Sequence, residues 1–163
     1  FRAKLDPSTL TVVSPDMGRV RVADIWSEKL GAPLAIIHKR RDPKVHNQVT
    51  VHEIVGDVSG RVCLLVDDMI DTGRTIVKAA EALKANGAIG VVVAATHAVF
   101  SDPACEILQS PAVDSVVVTD TLPVPEDKRF PTLEILPIAP LLARAIREVF
   151  DDGSVTSMFD GAA

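Results

Sequence analysis

Apolar positions recur along the chain with two periods, one typical of strands and the other of helices. Short apolar runs between polar or turn residues predict strands at 10–13, 33–37, 51–55, 61–66, 89–96, 114–118 and 133–136. Apolar residues at helical spacing predict helices at 20–30, 75–86, 103–108 and 138–150. Because strands and helices alternate, we expect an α/β fold in three layers around a mainly parallel sheet.

Three details of this pattern are specific enough to test. The runs at 51–55 and 61–66 are separated by a short turn and predict a hairpin, with one antiparallel strand at the sheet edge. The tail at 151–163 keeps enough apolar side chains to dock on a surface. The last helix has an apolar face that is expected to point inward, made of Leu141, Leu142, Ala145, Ile146 and Val149.

The composition excludes several classes of protein. The chain has 163 residues, 47% apolar and 24% charged, which suits one soluble globular domain. With 17 basic and 22 acidic residues, its net charge of −5 disfavours general binding to nucleic acid or to a membrane surface. No apolar run approaches the roughly 18 residues that a membrane span needs. The two cysteines, Cys63 and Cys105, lie in apolar surroundings and indicate free thiols in a reducing cytoplasm.

Polar clusters follow three of the predicted strands, at 14–16, 39–41 and 67–75. Ligands of open parallel sheets bind at the carboxyl ends of the strands, so all three clusters are candidate site segments. The cluster at 67–75 is the most informative, because a buried strand ends in Asp67 and Asp68 and a small turn then precedes a helix.

That small turn, at 71–75, has the features of an anion site. A helix N-terminus presents unpaired N–H groups and a positive dipole end, and Gly73 lets the backbone approach a phosphate closely. The neighbouring carboxylates suit sugar hydroxyls or Mg²⁺ rather than phosphate. The sequence therefore predicts a sugar-phosphate site, with an ordinary Asp/Thr helix cap as the alternative.

The other two clusters are less specific alone. Lys39, Arg40 and Arg41 form either a solvated loop or a polyanion site, and their place beside a phosphate turn favours the second. Asp16 lies in a turn with Pro15, where an acidic residue is common without any function.

Taken together, the clusters resemble a known family. The segment 66–75 (VDDMIDTGRT) resembles the phosphoribosyl-diphosphate (PRPP) loop of type I phosphoribosyltransferases and their relatives. With 12–18 (VVSPDMG) and 36–41 (IIHKRR), the order resembles that of the ribose-phosphate diphosphokinases, or PRPP synthetases. Two positions depart from the family pattern, because Arg19 and Arg74 stand where glycine is common.

The resemblance implies a type I phosphoribosyltransferase-like fold and a reaction. Diphosphate would move from ATP to the anomeric hydroxyl of ribose 5-phosphate, giving PRPP and AMP for nucleotide biosynthesis. It implies that Lys39 and Arg41 stabilise the transferring group and that Asp16 binds the cofactor Mg²⁺. It also implies a ribose 5-phosphate site made of Asp67, Asp68, Asp71, Thr72, Gly73, Arg74 and Thr75.

Family members are about twice this length, so we expect residues 1–163 to be one domain, the C-terminal half of a two-domain enzyme. Without the N-terminal half this chain is expected to be inactive. The resemblance implies a cytoplasmic homo-oligomer, a hexamer, that binds no nucleic acid or membrane. The alternatives are a phosphoribosyltransferase that consumes PRPP, a non-catalytic regulatory subunit and a plain structural domain.

Overall fold

The computed structural model describes residue 1 and residues 5–41 and 50–159, with side chains at 1, 5–38 and 53–159. The strands are β1 (Leu10–Ser14), β2 (Leu34–Arg41), β3 (Thr50–Val55), β4 (Val62–Ile70), β5 (Gly90–Ala98), β6 (Ser115–Thr119) and β7 (Leu133–Leu136). The helices are α1 (Val20–Leu30), α2 (Arg74–Ala85), α3 (Ala104–Ile107) and α4 (Ala139–Phe150). Short 3₁₀ turns lie at 126–128 and 155–159.

The strands form one sheet in the order β3-β2-β1-β4-β5-β6-β7, in which β3 alone runs antiparallel to its neighbour. Helix α1 packs on one face of the sheet, and α2 and α3 pack on the other. The predicted three-layer fold with a mainly parallel sheet is therefore confirmed.

The core explains why the central strands read as continuous apolar runs. Strands β1 and β4 are covered on both faces, so Val12, Val13, Leu64 and Leu65 are fully buried. Helix α2 buries one face against β4 and β5, made of Ile76, Val77, Ala79, Ala80 and Leu83. Residues at this spacing lie on one side of a helix, which is why the sequence predicts α2 to within one residue at each end.

The order of the strands creates a switch point between β1 and β4. The chain leaves β1 for β2 on one side and later returns to pair β4 on the other side of β1. The loops that follow β1 and β4 therefore diverge, and a crevice opens between them at the carboxyl edge of the sheet.

The predicted hairpin between residues 51–55 and 61–66 is wrong, because β3 pairs with β2 and not with β4. Strand β3 is the antiparallel edge strand, as expected, but it pairs with β2, with Ile36 opposite Val55 and Ile37 opposite Ile54. Strand β2 also extends through residues 39–41, which the sequence predicts as a loop. The cause is that ladder hydrogen bonds come from backbone groups, so a polar stretch can continue a two-stranded ribbon.

The predicted inward face of α4 is also wrong. Leu141, Leu142, Ile146 and Val149 are 49%, 52%, 70% and 66% exposed. Among the described residues α4 contacts chiefly the 155–159 turn, so part of the tail docks beside this helix. An amphipathic pattern predicts an apolar stripe but cannot identify what covers it. The described residues include no helix that is long and apolar enough to cross a membrane.

Candidate functional site

A polar cavity of about 340 Å³ lies at the switch point between β1 and β4. The loop after β1 contributes Asp16 and Arg19, and the end of β4 contributes Asp67 and Asp68. The turn before α2 completes the lining with Asp71, Thr72, Gly73 and Thr75, beside the apolar Met69, Ile70 and Ile76. The structure thus brings together two of the three predicted clusters, which are about 50 residues apart in sequence.

The loop after β1 is held by a network centred on Asp16. The backbone N–H groups of Gly18 and Arg19 donate to Asp16 Oδ1 at 2.7 and 3.1 Å. The buried Ser14 hydroxyl donates to the Asp16 carbonyl oxygen at 2.7 Å. These bonds fix the turn that leads into α1 and hold the Asp16 carboxylate at the cavity wall.

The acids at the end of β4 are held by adjacent backbone groups. The Asp68 N–H donates to Asp67 Oδ1 at 2.8 Å, and the Met69 N–H donates to Asp68 Oδ1 at 2.9 Å. The Asp67 side chain is only 16% exposed, and that of Asp68 is 35% exposed. Burial raises the pKa of Asp67 to about 6, the Asp68 carboxylate raises it as well, and the Arg19 charge opposes both.

Arg19 bridges the two acids. Its Nη2 donates to Asp68 Oδ2, and its Nε lies 3.6 Å from Asp67 Oδ1. Sequence reasoning notices Arg19 only as a departure from a family pattern and assigns it no role. No local signal could have revealed the contact, because its partners lie 48 and 49 positions along the chain.

The turn before α2 is shaped as a cradle. Gly73 is buried with φ +73°, and a Cβ there would lie 3.2 Å from Leu108 Cγ. No described side chain caps the first N–H groups of α2, which disfavours the alternative of an ordinary helix cap. These N–H groups are therefore open to an anion. Arg74 is exposed and does not line the cavity, unlike the other predicted residues of the turn.

The predicted catalytic pair lies partly outside the described residues. The backbone of Lys39 and Arg41 belongs to the end of β2, where β2 pairs with β3, but their side chains are not described. Their roles therefore stay predictions. Among the described residues there is no cluster of three or more His, Cys, Asp or Glu that could hold a metal ion.

Comparisons with known proteins point to one family. Residues 40–160 match the family model of the phosphoribosyl synthetase-associated domain. The chain is 63% identical over 158 residues to the ribose-phosphate pyrophosphokinase of Streptomyces avermitilis, covering 97% of this chain and 49% of the relative. It is 59% identical to that of Mycobacterium tuberculosis, covering 100% of this chain and 50% of the relative.

Similarity to a solved structure confirms the predicted fold. The phosphoribosylpyrophosphate synthetase from Mycobacterium smegmatis superposes with a TM-score of 0.80 at 53% identity, over 89% of this chain and 46% of that one. The chain spans about half the length of the curated relatives that it matches. The family model alone covers well over half of the chain, and the predicted resemblance is confirmed. The chain therefore belongs to the phosphoribosyl synthetase-associated domain family.

Proposed function

We propose that this chain supplies the ribose 5-phosphate site of a ribose-phosphate pyrophosphokinase, which transfers diphosphate from ATP to ribose 5-phosphate. One observation carries the proposal: a single cavity has carboxylates at the end of β4 and an uncapped helix N-terminus at α2. The names of the relatives support the same reaction.

The cavity offers separate partners for the two ends of a sugar phosphate. The N–H groups at the start of α2, with the hydroxyls of Thr72 and Thr75, would bind the 5-phosphate. Asp67 and Asp68 would accept hydrogen bonds from ribose hydroxyls, because ionised carboxylates only accept. Asp71 lines the same turn. Arg74 lies outside the lining, so we propose no direct contact between it and the sugar phosphate.

The residues present fit a magnesium ion that is shared with substrate. Mg²⁺ is commonly held by one or two carboxylates together with substrate phosphates and water, rather than by a cage of protein ligands. We assign the ion to Asp16, as the family resemblance implies, because Asp16 lines the cavity whereas Asp67 and Asp68 pair with Arg19. Bound there, the ion would neutralise charge on the phosphates.

The transfer itself requires little covalent chemistry from the protein. The anomeric oxygen of ribose 5-phosphate attacks the β-phosphorus of ATP, the bond from that phosphorus to the α,β-bridging oxygen breaks, and AMP leaves. The hydroxyl proton is released in the same step. Positioning and charge neutralisation dominate such transfers, and Lys39 and Arg41 would stabilise the charge on the moving group.

The wider setting of the enzyme is also a proposal. The matched relatives are about twice as long, so we propose that residues outside this chain complete the ATP site and that this chain alone has no synthetase activity. We further propose a cytoplasmic homo-oligomer, a hexamer, that binds neither nucleic acid nor membrane. The net charge of −5 supports the last two points.

Two experiments test the proposal. Calorimetry should detect binding of ribose 5-phosphate to the 163-residue chain, and absence of binding would contradict the assigned site. A chimaera in which this chain replaces the matched segment of the Streptomyces avermitilis relative should form PRPP and AMP from ATP and ribose 5-phosphate. A chimaera that folds and binds the sugar but forms no PRPP would favour a regulatory subunit. One that instead consumes PRPP with a nucleobase would favour a phosphoribosyltransferase.

A further inference from the structure

We propose that Arg19 is a positioning residue for the sugar-binding acids. Its guanidinium holds the carboxylates of Asp67 and Asp68 in place where the ribose hydroxyls would bind. The inference rests on the function proposed above and adds to it a residue that the family pattern does not include.

The contacts of Arg19 define the orientation of both acids. Its Nη2 binds Asp68 Oδ2, while the Met69 N–H binds Asp68 Oδ1, so both oxygens of Asp68 are held. The Arg19 Nε and the Asp68 N–H both approach Asp67 Oδ1, at 3.6 and 2.8 Å. Within the described part of the chain these contacts leave Asp67 Oδ2 for a sugar hydroxyl.

Hydrogen bonds hold the backbone of Arg19 in place. Its N–H donates to Asp16 Oδ1 at 3.1 Å, and its carbonyl oxygen accepts from the N–H groups of Val22 and Ala23 at 3.0 and 3.1 Å. The backbone is thus anchored at the start of α1, and the side chain crosses the switch point to β4. The guanidinium therefore links the two loops that form the cavity.

The charges explain why such a link is needed. Asp67 and Asp68 are adjacent acids, and Asp67 is mostly buried, so burial and mutual repulsion both disfavour its ionised form. A guanidinium stays ionised at all relevant pH values, and its planar fork can contact two carboxylates at once. The resembled family commonly has glycine at this position, and glycine could make neither contact. In this chain the protein itself therefore supplies a cation to the acid pair.

The experiment compares three variants of the 163-residue chain: Arg19→Gln, Arg19→Lys and, as a control, Arg21→Gln. Arg21 is an exposed arginine two positions further along, within α1, and does not line the cavity. Calorimetric titrations use ribose 5-phosphate and, separately, inorganic phosphate. Amide NMR spectra report on the N–H groups of Asp68 and Met69, which bind the two carboxylates.

We expect Arg19→Gln to weaken ribose 5-phosphate binding about tenfold, the size of one lost hydrogen bond to a charged group. Arg19→Lys keeps the charge but loses the fork, so a weakening of about threefold is expected. Binding of inorganic phosphate should not change in either variant. The amide signals of Asp68 and Met69 should shift in Arg19→Gln and stay unchanged in Arg21→Gln.

Other results of these titrations would contradict the role of Arg19 or the proposed function. Equal ribose 5-phosphate affinity in the unchanged chain and both Arg19 variants would overturn the inference while leaving the proposed function intact. A parallel loss of inorganic phosphate affinity would make Arg19 an anion ligand instead and also overturn it. If Arg19→Gln does not fold, Arg19→Lys decides alone, because unchanged affinity there contradicts the role of the fork. Absence of sugar binding by the unchanged chain would overturn the proposed function and this inference together.

Discussion

Two arginines connect the same pair of strands, β1 and β4, at opposite ends. At the amino ends, Arg61 Nε donates to Thr11 Oγ1 and its Nη2 to the Leu10 carbonyl oxygen, both at 2.6 Å. At the carboxyl ends, Arg19 pairs with the carboxylates of Asp67 and Asp68. The first arginine binds neutral oxygens of the chain itself, whereas the second binds acids that line a cavity.

This difference suggests that the amino ends of β1 and β4 serve stability, whereas their carboxyl ends serve ligand binding. The Leu10 carbonyl and Thr11 hydroxyl oxygens lie away from the cavity, and their hydrogen bonds to Arg61 tie the two strands together. Two carboxylates that share one guanidinium keep a net negative charge and remain good acceptors for hydroxyls. We therefore expect substitutions at the amino ends to alter the free energy of unfolding and those at the carboxyl ends to alter binding and turnover.

The largest expected effect is at the carboxyl end of β2. In the chimaera described above, Lys39→Ala should lower turnover by more than about a hundredfold, as loss of a charge-stabilising group does. The matched control is Lys84→Ala, which removes a lysine that binds Asp114 at the other end of the sheet. PRPP formation by both variants is the measurement, and near-normal turnover in Lys39→Ala would refute the role of this residue.

Two glycines give the next comparison, because both adopt positive φ but only one lies at the cavity. Gly73 has φ +73° and a Cβ there would meet Leu108, whereas Gly31 has φ +66° with nothing within 4 Å. An alanine in this conformation costs about 1 kcal/mol of stability at either position. Gly73→Ala should also weaken binding of ribose 5-phosphate and inorganic phosphate by about tenfold or more, since the cradle must shift. Calorimetry that found equal phosphate affinity in Gly73→Ala and Gly31→Ala would contradict the cradle.

Arg61→Gln tests the amino ends directly. Loss of the guanidinium leaves the Leu10 carbonyl and the Thr11 hydroxyl with fewer partners, so the free energy of unfolding should fall by about 1–2 kcal/mol. Urea denaturation measures the loss, and ribose 5-phosphate affinity should not change. An Arg61→Gln variant with normal stability but weakened sugar binding would contradict the proposal that the amino ends of β1 and β4 serve stability and their carboxyl ends serve binding.

Asp67→Asn gives the smallest expected effect on stability, and that effect depends on pH. The pKa of Asp67 in the folded chain, about 6, lies above its ordinary value, so the folded chain binds this proton more tightly than the unfolded chain. Stability therefore decreases as pH rises from about 4 to about 6. Above that range Asp67→Asn should be more stable by on the order of 1 kcal/mol. Urea midpoints at pH 4.5 and 7.5 measure this, with the exposed Asp151→Asn as the control; an equal gain at both pH values would contradict it.

The sequence predicts well the elements whose pattern is decided by burial. Helix α2, whose apolar face is buried, begins and ends within one residue of its predicted bounds. Gly31 ends α1 in the left-handed region, as a glycine in that place suggests. Pairing is decided by backbone geometry at long range, and the polar residues 39–41 gave no sign that β2 continues to meet β3. The same limit applies to α4, whose apolar stripe is visible although its covering partner is not.

Some residues of the candidate site are predictable from the sequence and others are not. The acids at Asp67 and Asp68 and the turn at Gly73 are predictable, because a strand end and a helix start adjoin in sequence. Arg19 is not, since it reaches the acids through the β1–β4 pairing and that pairing joins segments about 50 residues apart. Long-range contacts of this kind need the strand order, which periodicity alone does not provide.

The strand order has a practical consequence for dividing the chain. A cut in the turn between Gly56 and Gly60 separates a fragment with β1, Asp16 and Arg19 from one with β4 and the 71–75 turn. Each fragment has one wall of the cavity, and the pairing of β1 with β4 unites them, together with the packing of α1 on β4 and of α2 on β3. Ribose 5-phosphate would then bind the reassembled pair and neither fragment alone, which makes the sugar a reporter of fragment complementation.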